Sequence, residues 1–311
     1  MNLNFLYLLE GIRTPFLDKL FLAVTGMGDE LFFIALALAV FWCINKKTGY
    51  YLITVCFFGI VVNQSLKLLF RVPRPWVRDP SFSMVEAARE SASGYSFPSG
   101  HTQNAVSIFG CLFASSNELI KKRSGANVFR AVCVLLAVLV AFSRMYLGVH
   151  TPADVLTSAA IAVIMLAAFY PFFKDLMSHP DRFYYIIGAM AMFAAGYLAL
   201  SYGAGAGNEE NVLSAQKHAW YMFGGILGVA VSYPLERKFV NFDTRAGVPG
   251  QILKLVIGCA LVIGIKAVLK QPLLALFGGH MAAHAVRYFL IVFFAVFVWP
   301  NTFKFFALIK R

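Results

Sequence analysis

Long apolar stretches recur along the whole chain and limit the fold more than any other feature. Each is about 17–21 residues long, the length that a helix needs to cross a hydrocarbon core of roughly 30 Å. In lipid, a segment must satisfy its own backbone hydrogen bonds, so each stretch is expected to be a helix. The sequence therefore predicts an all-α, polytopic transmembrane bundle of about nine spans, at residues 29–45, 50–70, 100–118, 128–147, 152–172, 183–202, 218–235, 251–270 and 283–300.

Composition agrees with a membrane protein, since 59% of the 311 residues are hydrophobic and only 14% are charged. The net charge of +12 comes from basic residues in short connectors and near the C-terminus. Under the positive-inside rule these segments face the cytoplasm, and this distribution argues against a nucleic-acid partner. The basic residues concerned are Lys46, Lys47, Lys121, Lys122, Arg123, Arg237, Lys238, Lys310 and Arg311. The five cysteines lie in apolar stretches and are interpreted as buried small hydrophobes.

The alternation of spans places connectors 71–99, 148–151, 203–217 and 271–282 on the opposite, extracytoplasmic face. Connector 71–99 is the longest and is polar, which is typical of a functional loop. Residues 1–28 mix apolar with charged side chains and are too polar to span comfortably. They are predicted to form amphipathic helices at the membrane interface.

Three polar blocks lie at this predicted extracytoplasmic face. They are Lys67-Leu-Leu-Phe-Arg-Val-Pro-Arg74-Pro75, Pro98-Ser99-Gly100-His101, and Ser143-Arg144-Met-Tyr-Leu-Gly-Val-His150-Thr-Pro-Ala-Asp154. Ionisable residues at membrane depth are costly and are functional candidates by default. Lys67, Arg74 and Arg144 offer three positive charges, two of them forked donors suited to phosphate oxygens. Ser99 and the N–H groups around Gly100, in the first turn of a helix, form an anion site.

The two histidines of these blocks suit a proton-transfer pair. His150 and Asp154 are four residues apart and share one helical face. A carboxylate that holds one ring nitrogen leaves the other as a nucleophile or base, while His101 is free to be the general acid. Positioning and electrostatic stabilisation are most of what phosphoryl transfer needs. No cluster with metal-ligand spacing accompanies the blocks, so the reaction is expected to need no metal and no cofactor.

These blocks resemble the three signature motifs of the type 2 phosphatidic acid phosphatase superfamily, K-x6-RP, PSGH and SR-x5-H-x3-D. Every signature position fits, and the resemblance covers roughly residues 29–172. It implies that His150 attacks phosphorus to form a phosphohistidine, that Asp154 orients His150, and that His101 protonates the leaving oxygen. It also implies that the transferring phosphoryl group is bound by Lys67, Arg74, Ser99, Gly100 and Arg144.

The predicted organisation is an interfacial segment at residues 1–28, a phosphatase core at residues 29–175 and a transmembrane extension of about three helices at residues 183–311. The expected function is that of a membrane lipid phosphatase of the cell membrane, with its site on the extracytoplasmic side. Undecaprenyl pyrophosphate, phosphatidylglycerol phosphate, phosphatidic acid, a sphingoid-base phosphate and lipid A phosphates all suit such a site. A lipid phosphotransferase, or a lipid transporter or flippase with a relic phosphatase site, are alternatives. A haloperoxidase is the weakest reading, because those relatives are mostly soluble.

The extension offers two further observations. His280, His284 and Arg287 share one helical face at the outward end of the last span, where they could contact a lipid headgroup or a second anion. Histidines at a wet helix end often have no function, so both interpretations stay open. Gly188 and Gly196 are expected to permit close helix packing.

Overall fold

The computed structural model describes residues 3–203 and 209–309, and these residues form helices without any strand. The prediction of an all-α fold is confirmed. The predicted basic tail, Lys310 and Arg311, lies outside the described residues, as do residues 204–208 of the predicted connector. The α-helices are α1 (Asn4–Glu10), α2 (Pro15–Thr25), α3 (Glu30–Ala39), α4 (Lys46–Phe70), α5 (Pro75–Arg78), α6 (Gly100–Ala114), α7 (Ser116–Leu119), α8 (Arg123–Tyr146), α9 (Pro152–Lys174), α10 (Arg182–Gly203), α11 (Glu209–Leu235), α12 (Val248–Val268), α13 (Lys270–Leu276), α14 (Ala282–Phe293) and α15 (Phe303–Ala307).

The predicted count of nine spans is not confirmed. Within the described residues, six helical segments are long and apolar enough to cross a membrane, built on α4, α8, α9, α10, α12 and α14. A seventh span is possible if α2 and α3, which bend by 53° at the residues between them, count as one. Helix α6 has only 15 residues, which is short for a hydrocarbon core of roughly 30 Å. Helix α11 is 27 residues long but carries polar side chains in its first half.

The chain groups into two compact units by its contacts. The first unit comprises Met1–Ile34 and Tyr51–Pro171, and the second comprises Ala35–Tyr50 and Phe172–Arg311. All candidate site residues fall in the first unit. The domain boundaries expected from the sequence, after residues 28 and 175, stay a prediction.

In the first unit, the N-terminal residues fold into α1 and α2 and join α8 through polar contacts. The side chain of Thr14 accepts a hydrogen bond from Leu17 N at 3.3 Å and caps α2, which begins with a proline. Arg13 Nε donates to the carbonyl of Tyr146 at 3.0 Å. The hydroxyl of Tyr146 in turn donates to Asp18 Oδ1 at 2.8 Å. These bonds place the N-terminal segment against the C-terminal end of α8.

In the second unit, side chains near the start of α4 are bound to distant parts of the chain. Trp42 Nε1 donates to the carbonyl of Ala295 at 2.9 Å. Lys46 Nζ lies 2.6 Å from Oε1 of Glu236, whose side chain is fully buried. A buried carboxylate is costly unless it is paired, so this ion pair fixes the pairing of two segments that are far apart in sequence.

Helices α11 and α14 pack so closely that two glycines are required. A Cβ atom built on Gly224 would lie 2.0 Å from the carbonyl oxygen of Ala285, and one on Gly228 would lie 2.8 Å from Val292 Cβ. By contrast, a Cβ atom on Gly188 or Gly196 would meet nothing within 4 Å. The expectation that these two glycines of α10 permit close packing is therefore wrong within the described residues.

We expect Gly224→Ala to lower the free energy of unfolding by about 1–3 kcal/mol, because the added methyl group forces the backbones of α11 and α14 apart. Thermal unfolding of the purified chain in detergent measures the change. Gly188→Ala is the matched control, and it should be neutral or stabilise by about 0.5–1 kcal/mol through the helix preference of alanine. Equal midpoints for the two variants would contradict this packing.

Candidate active site

Arg74 ties the long connector to the turn after α8. Its Nε donates to the carbonyl of Gly94 at 3.0 Å, and its Nη2 donates to the carbonyl of Ser93 at 2.8 Å. Its Nη1 donates to the carbonyl of Val149 at 3.0 Å. The side chain is only 5% exposed. One buried guanidinium thus joins the first and third sequence blocks.

The same guanidinium also contacts His150. Arg74 Nη1 lies 2.9 Å from His150 Nε2. Because arginine only donates hydrogen bonds, Nε2 is the accepting nitrogen and the ring proton of the neutral imidazole is on Nδ1. That nitrogen faces Asp154 Oδ2 at 3.6 Å, which is beyond hydrogen-bond range. The carboxylate instead accepts from Ser96 Oγ and from Thr151 N, both at 2.7 Å.

A glycine shapes the turn that carries His150. Gly148 has a φ of +78°, in the left-handed region that favours glycine. A Cβ atom there would lie 2.6 Å from Arg13 Nη2 and 3.0 Å from Phe82. The tight turn lets His150 N donate back to the carbonyl of Arg144 at 3.3 Å. This hydrogen bond fixes the backbone of His150 next to the C-terminal end of α8.

Arg144 is fully buried beside a segment that the sequence motifs do not include. Its Nη1 donates to Thr25 Oγ1 at 2.7 Å and to Ser91 Oγ at 3.3 Å. Its Nε is enclosed and has no hydrogen-bond partner. A buried donor without an acceptor costs about 1–3 kcal/mol, so Arg144 retains a donor that a bound anion can satisfy.

The second block starts α6 and is joined to the third block. Ser99 caps the helix by accepting from Thr102 N at 3.4 Å, and Gly100 is the first helical residue. Ser99 N donates to the carbonyl of Asp154 at 3.2 Å. Lys67 of the first block is half-buried, and its Nζ donates to the carbonyl of Tyr95 at 2.6 Å. The first turn of α6 supplies backbone N–H groups of the kind that bind anions.

Two residues that the sequence reasoning missed belong to this site. Asp29 Oδ1 lies 2.6 Å from His101 Nε2, although the two residues are 72 positions apart. Asn63 is 2% exposed and neither atom of its amide has a partner. A Cβ atom on Gly100 would lie 3.8 Å from Asn63 Oδ1. The signal for Asn63 was its place one helical turn before Lys67, whereas no local pattern marks Asp29.

The charges at the site favour a neutral His150. Burial lowers the pKa of His150 well below its ordinary value, and the positive charges of Arg74, Arg144 and Lys67 lower it further. At neutral pH the imidazole is therefore uncharged, with its one ring proton on Nδ1, and the lone pair of Nε2 is available to an electrophile.

The structure thus brings the three blocks together through direct contacts between Arg74 and His150 and between Ser99 and Asp154. The roles assigned to these side chains stay predictions. Among the described residues, no group of three or more His, Cys, Asp or Glu side chains is placed to hold a metal ion. The expectation of a reaction without a metal also stays a prediction.

Comparison with known protein families gives two matches. The family model described as the PAP2 superfamily matches residues 47–178. A second, described as the transmembrane extension of PAP2 superfamily phosphatases, matches residues 220–311. The resemblance seen in the sequence is confirmed, and this chain belongs to the PAP2 superfamily.

Individual relatives match between 38% and 51% of this chain in the three examples that follow. A probable sphingosine-1-phosphate phosphatase of Dictyostelium discoideum is 28% identical over 165 residues, which are 51% of this chain and 39% of that protein. Phosphatidylglycerophosphatase B of Bacillus subtilis is 27% identical over 50% of this chain and 74% of its own length. Undecaprenyl-diphosphatase BcrC of the same organism is 32% identical over 38% of this chain and 54% of its own length. The match thus spans about two-fifths of the first relative.

Proposed function

We propose that this protein is a membrane lipid phosphatase that hydrolyses a lipid phosphate or pyrophosphate through a phosphohistidine on His150. The observation that carries the proposal is the 2.9 Å contact between Arg74 Nη1 and His150 Nε2, in a buried site rich in positive charge. A guanidinium at the nucleophilic nitrogen is placed to bind the phosphoryl group that this nitrogen attacks.

In the first step, Nε2 of His150 attacks phosphorus while the bond between phosphorus and the leaving oxygen breaks. Arg74 transfers its Nη1 hydrogen bond from Nε2 to a phosphoryl oxygen as the new bond forms. The unpartnered Nε of Arg144, the ammonium of Lys67 and the first-turn N–H groups after Ser99 stabilise the charge on the phosphoryl oxygens. The proton on His150 Nδ1 faces Asp154, which stabilises the imidazolium that develops.

His101 supplies the proton that the leaving oxygen needs. The step requires His101 as an imidazolium: Asp29 accepts a hydrogen bond from its Nε2, and the proton on Nδ1 is the one left for the leaving oxygen. Burial lowers the pKa of His101, whereas the carboxylate of Asp29 raises it and so favours this charged form. In the second step a water attacks the phosphohistidine, His101 takes its proton, and inorganic phosphate leaves. The net reaction consumes one water and requires no redox partner.

The relatives support the proposed substrate class, since their names include phosphatases of sphingosine 1-phosphate and phosphatidylglycerophosphate and a diphosphatase of undecaprenyl diphosphate. They share a phosphate group on a lipid tail and differ in the headgroup and the tail. We propose the shared class, a phosphate or pyrophosphate ester of a membrane lipid, with no nucleic acid as partner.

Replacing either histidine should impair formation of the phosphoenzyme. We expect His150→Ala to reduce phosphate release from a lipid phosphate by about 10⁴-fold or more and to form no phosphoenzyme, because the nucleophile is lost. His101→Ala should slow phosphate release by about 10²–10⁴-fold, since the leaving oxygen loses its proton donor. Rapid quench with a radiolabelled lipid phosphate measures both.

His179→Ala is the matched control for these variants, because His179 lies exposed outside the motifs. Its turnover should equal that of the wild type. All assays contain EDTA, since the proposed reaction needs no divalent cation. Near-normal turnover of His150→Ala, or activity that returns only with added divalent cation, would refute this mechanism.

Asp29 is proposed as a positioning residue that acts through His101. We expect Asp29→Asn to lower kcat for a lipid phosphate about 100-fold, because the His101 imidazolium loses its ion pair. With p-nitrophenyl phosphate the loss should be less than about tenfold, since a good leaving group needs little protonation. Glu30→Gln, the exposed acidic neighbour, is the control. Equal losses on the two substrates would indicate a merely structural role for Asp29.

We also propose that the site faces the extracytoplasmic side of the cell membrane. The support is the excess of Lys and Arg in the connectors on the opposite face. In intact cells, an impermeant thiol reagent should label Ala87→Cys, an exposed position of connector 71–99, and should not label Ser124→Cys, an exposed position near the start of α8. The wild type gives the background from the native cysteines. Labelling of Ser124→Cys alone would reverse this orientation.

A further inference from the structure

The close contact of α11 and α14 assembles an aromatic and basic cluster in the second unit. The rings of Tyr221 and Tyr288 are stacked, with centroids 4.3 Å apart and planes at 13°. The guanidinium of Arg287 lies 5.7 Å from the first centroid and 5.4 Å from the second. The ring of His284 meets Tyr221 edge-on at 5.2 Å. His284 and Arg287 are one helical turn apart on α14, so they face the same neighbours.

Arg287 is a buried cation without a counter-ion. Its side chain is 4% exposed, and its Nε is enclosed with no hydrogen-bond partner. It makes neither an ion pair nor a hydrogen bond with any residue that the structure describes. Contact with two tyrosine rings contributes about 1–2 kcal/mol, whereas removing a charge from water costs several kcal/mol. The Nε of this guanidinium therefore lacks the acceptor that an enclosed donor needs.

The charges around Arg287 are positive as well. The groups whose charges act on His284 are Arg287, Lys217 and Lys270. Lys217 and Lys270 are both exposed. Glu210 of α11 is also exposed and forms no ion pair with these side chains in the described part of the chain. The cluster thus carries excess positive charge, and the compensating charge must come from outside the described chain.

The polar and aromatic side chains nearby are typical of headgroup depth. Trp220 Nε1 donates to the hydroxyl of Tyr202 at 3.0 Å, and the ring of Trp220 lies 6.2 Å from that of His280. Trp and Tyr concentrate where the hydrocarbon core meets the headgroups. His280 itself is exposed, precedes α14, and accepts from Ala282 N. His280 therefore lies at the exposed edge of the cluster and does not share the buried face of α14.

We propose that these four basic side chains form a second anion site that binds a phosphate group, either as inorganic phosphate or on a lipid headgroup. They are His284, Arg287, Lys217 and Lys270. The forked guanidinium supplies the oriented donors, and the two exposed ammonium groups attract the anion and enclose it. The proposal rests on the second unit alone and is independent of the phosphatase activity.

The first experiment tests whether the site binds free inorganic phosphate. Equilibrium dialysis of the purified full chain in detergent with radiolabelled phosphate gives the number and affinity of sites. Because the candidate active site also binds phosphate, the measurement is made in the Arg144→Gln background. We expect Lys217→Gln to weaken the remaining site about tenfold, the loss of one charge-assisted contact. Arg287→Gln should abolish it, whereas Lys304→Gln, an exposed lysine on α15, should leave it unchanged.

Binding of a lipid tests the second source. The chain is reconstituted in phosphatidylcholine nanodiscs that contain a phosphonate analogue of phosphatidic acid, whose carbon–phosphorus bond resists hydrolysis. Native mass spectrometry then counts the retained phosphonolipids in the same variants. Retention that falls in Lys217→Gln and Arg287→Gln but not in Lys304→Gln identifies a lipid headgroup as the ligand. If the two variants lose binding only in the equilibrium dialysis experiment, the ligand is free inorganic phosphate.

The proposal is overturned if Lys217→Gln and Arg287→Gln bind both probes as the wild type does. Should Arg287→Gln fail to fold, Lys217→Gln decides, because its side chain is exposed and its replacement does not disturb the packing of α11 on α14. Equal weakening by Lys217→Gln and Lys304→Gln would show only general attraction by net charge and would also overturn the site.

Discussion

Buried positive charge is the constraint on which the motif-bearing unit depends. Arg144 is fully buried and Arg74 is nearly so. The carboxylate of Asp154, which is also fully buried, already accepts hydrogen bonds from Ser96 and Thr151. Carbonyl oxygens of the long connector accept two of the hydrogen bonds that Arg74 donates. This compensation is incomplete, because the Nε of Arg144 has no acceptor. A buried hydrogen-bond donor without an acceptor, such as this Nε, is already in place before an anion binds. Little rearrangement is then needed to stabilise a phosphoryl group.

The same constraint explains the length of connector 71–99. A short turn would join two spans equally well. It could not place three carbonyl groups within hydrogen-bond distance of Lys67, near the end of α4, and of Arg74, just after it. The connector therefore acts as a set of hydrogen-bond acceptors that hold Lys67 and Arg74 in place. The N-terminal segment has a comparable task, because Thr25 binds Arg144 and Asp29 binds His101. Residues outside the motifs thus position residues within them.

The second unit shows the same constraint in a different setting. There Lys46 pairs with the carboxylate of Glu236, and this ion pair joins two segments that are far apart in sequence. The cluster around Arg287 is incomplete, since its cations face no carboxylate in the described chain. The contrast between these two sites separates a structural ion pair from the proposed anion site.

The sequence by itself determined the helical membrane class, the family and the identity of the motif residues, because these depend on local properties. Apolar length is a property of one segment, and the spacing from Lys67 to Arg74 or from His150 to Asp154 lies within one or two turns. Tertiary structure decided what depends on separation in space. It paired Asp29 with His101 across 72 positions. It also showed that the close helix packing expected at Gly188 occurs instead at Gly224. It also left α6 too short to count as a span. Such contacts are set by which helices are neighbours, and no local pattern of residues encodes that choice.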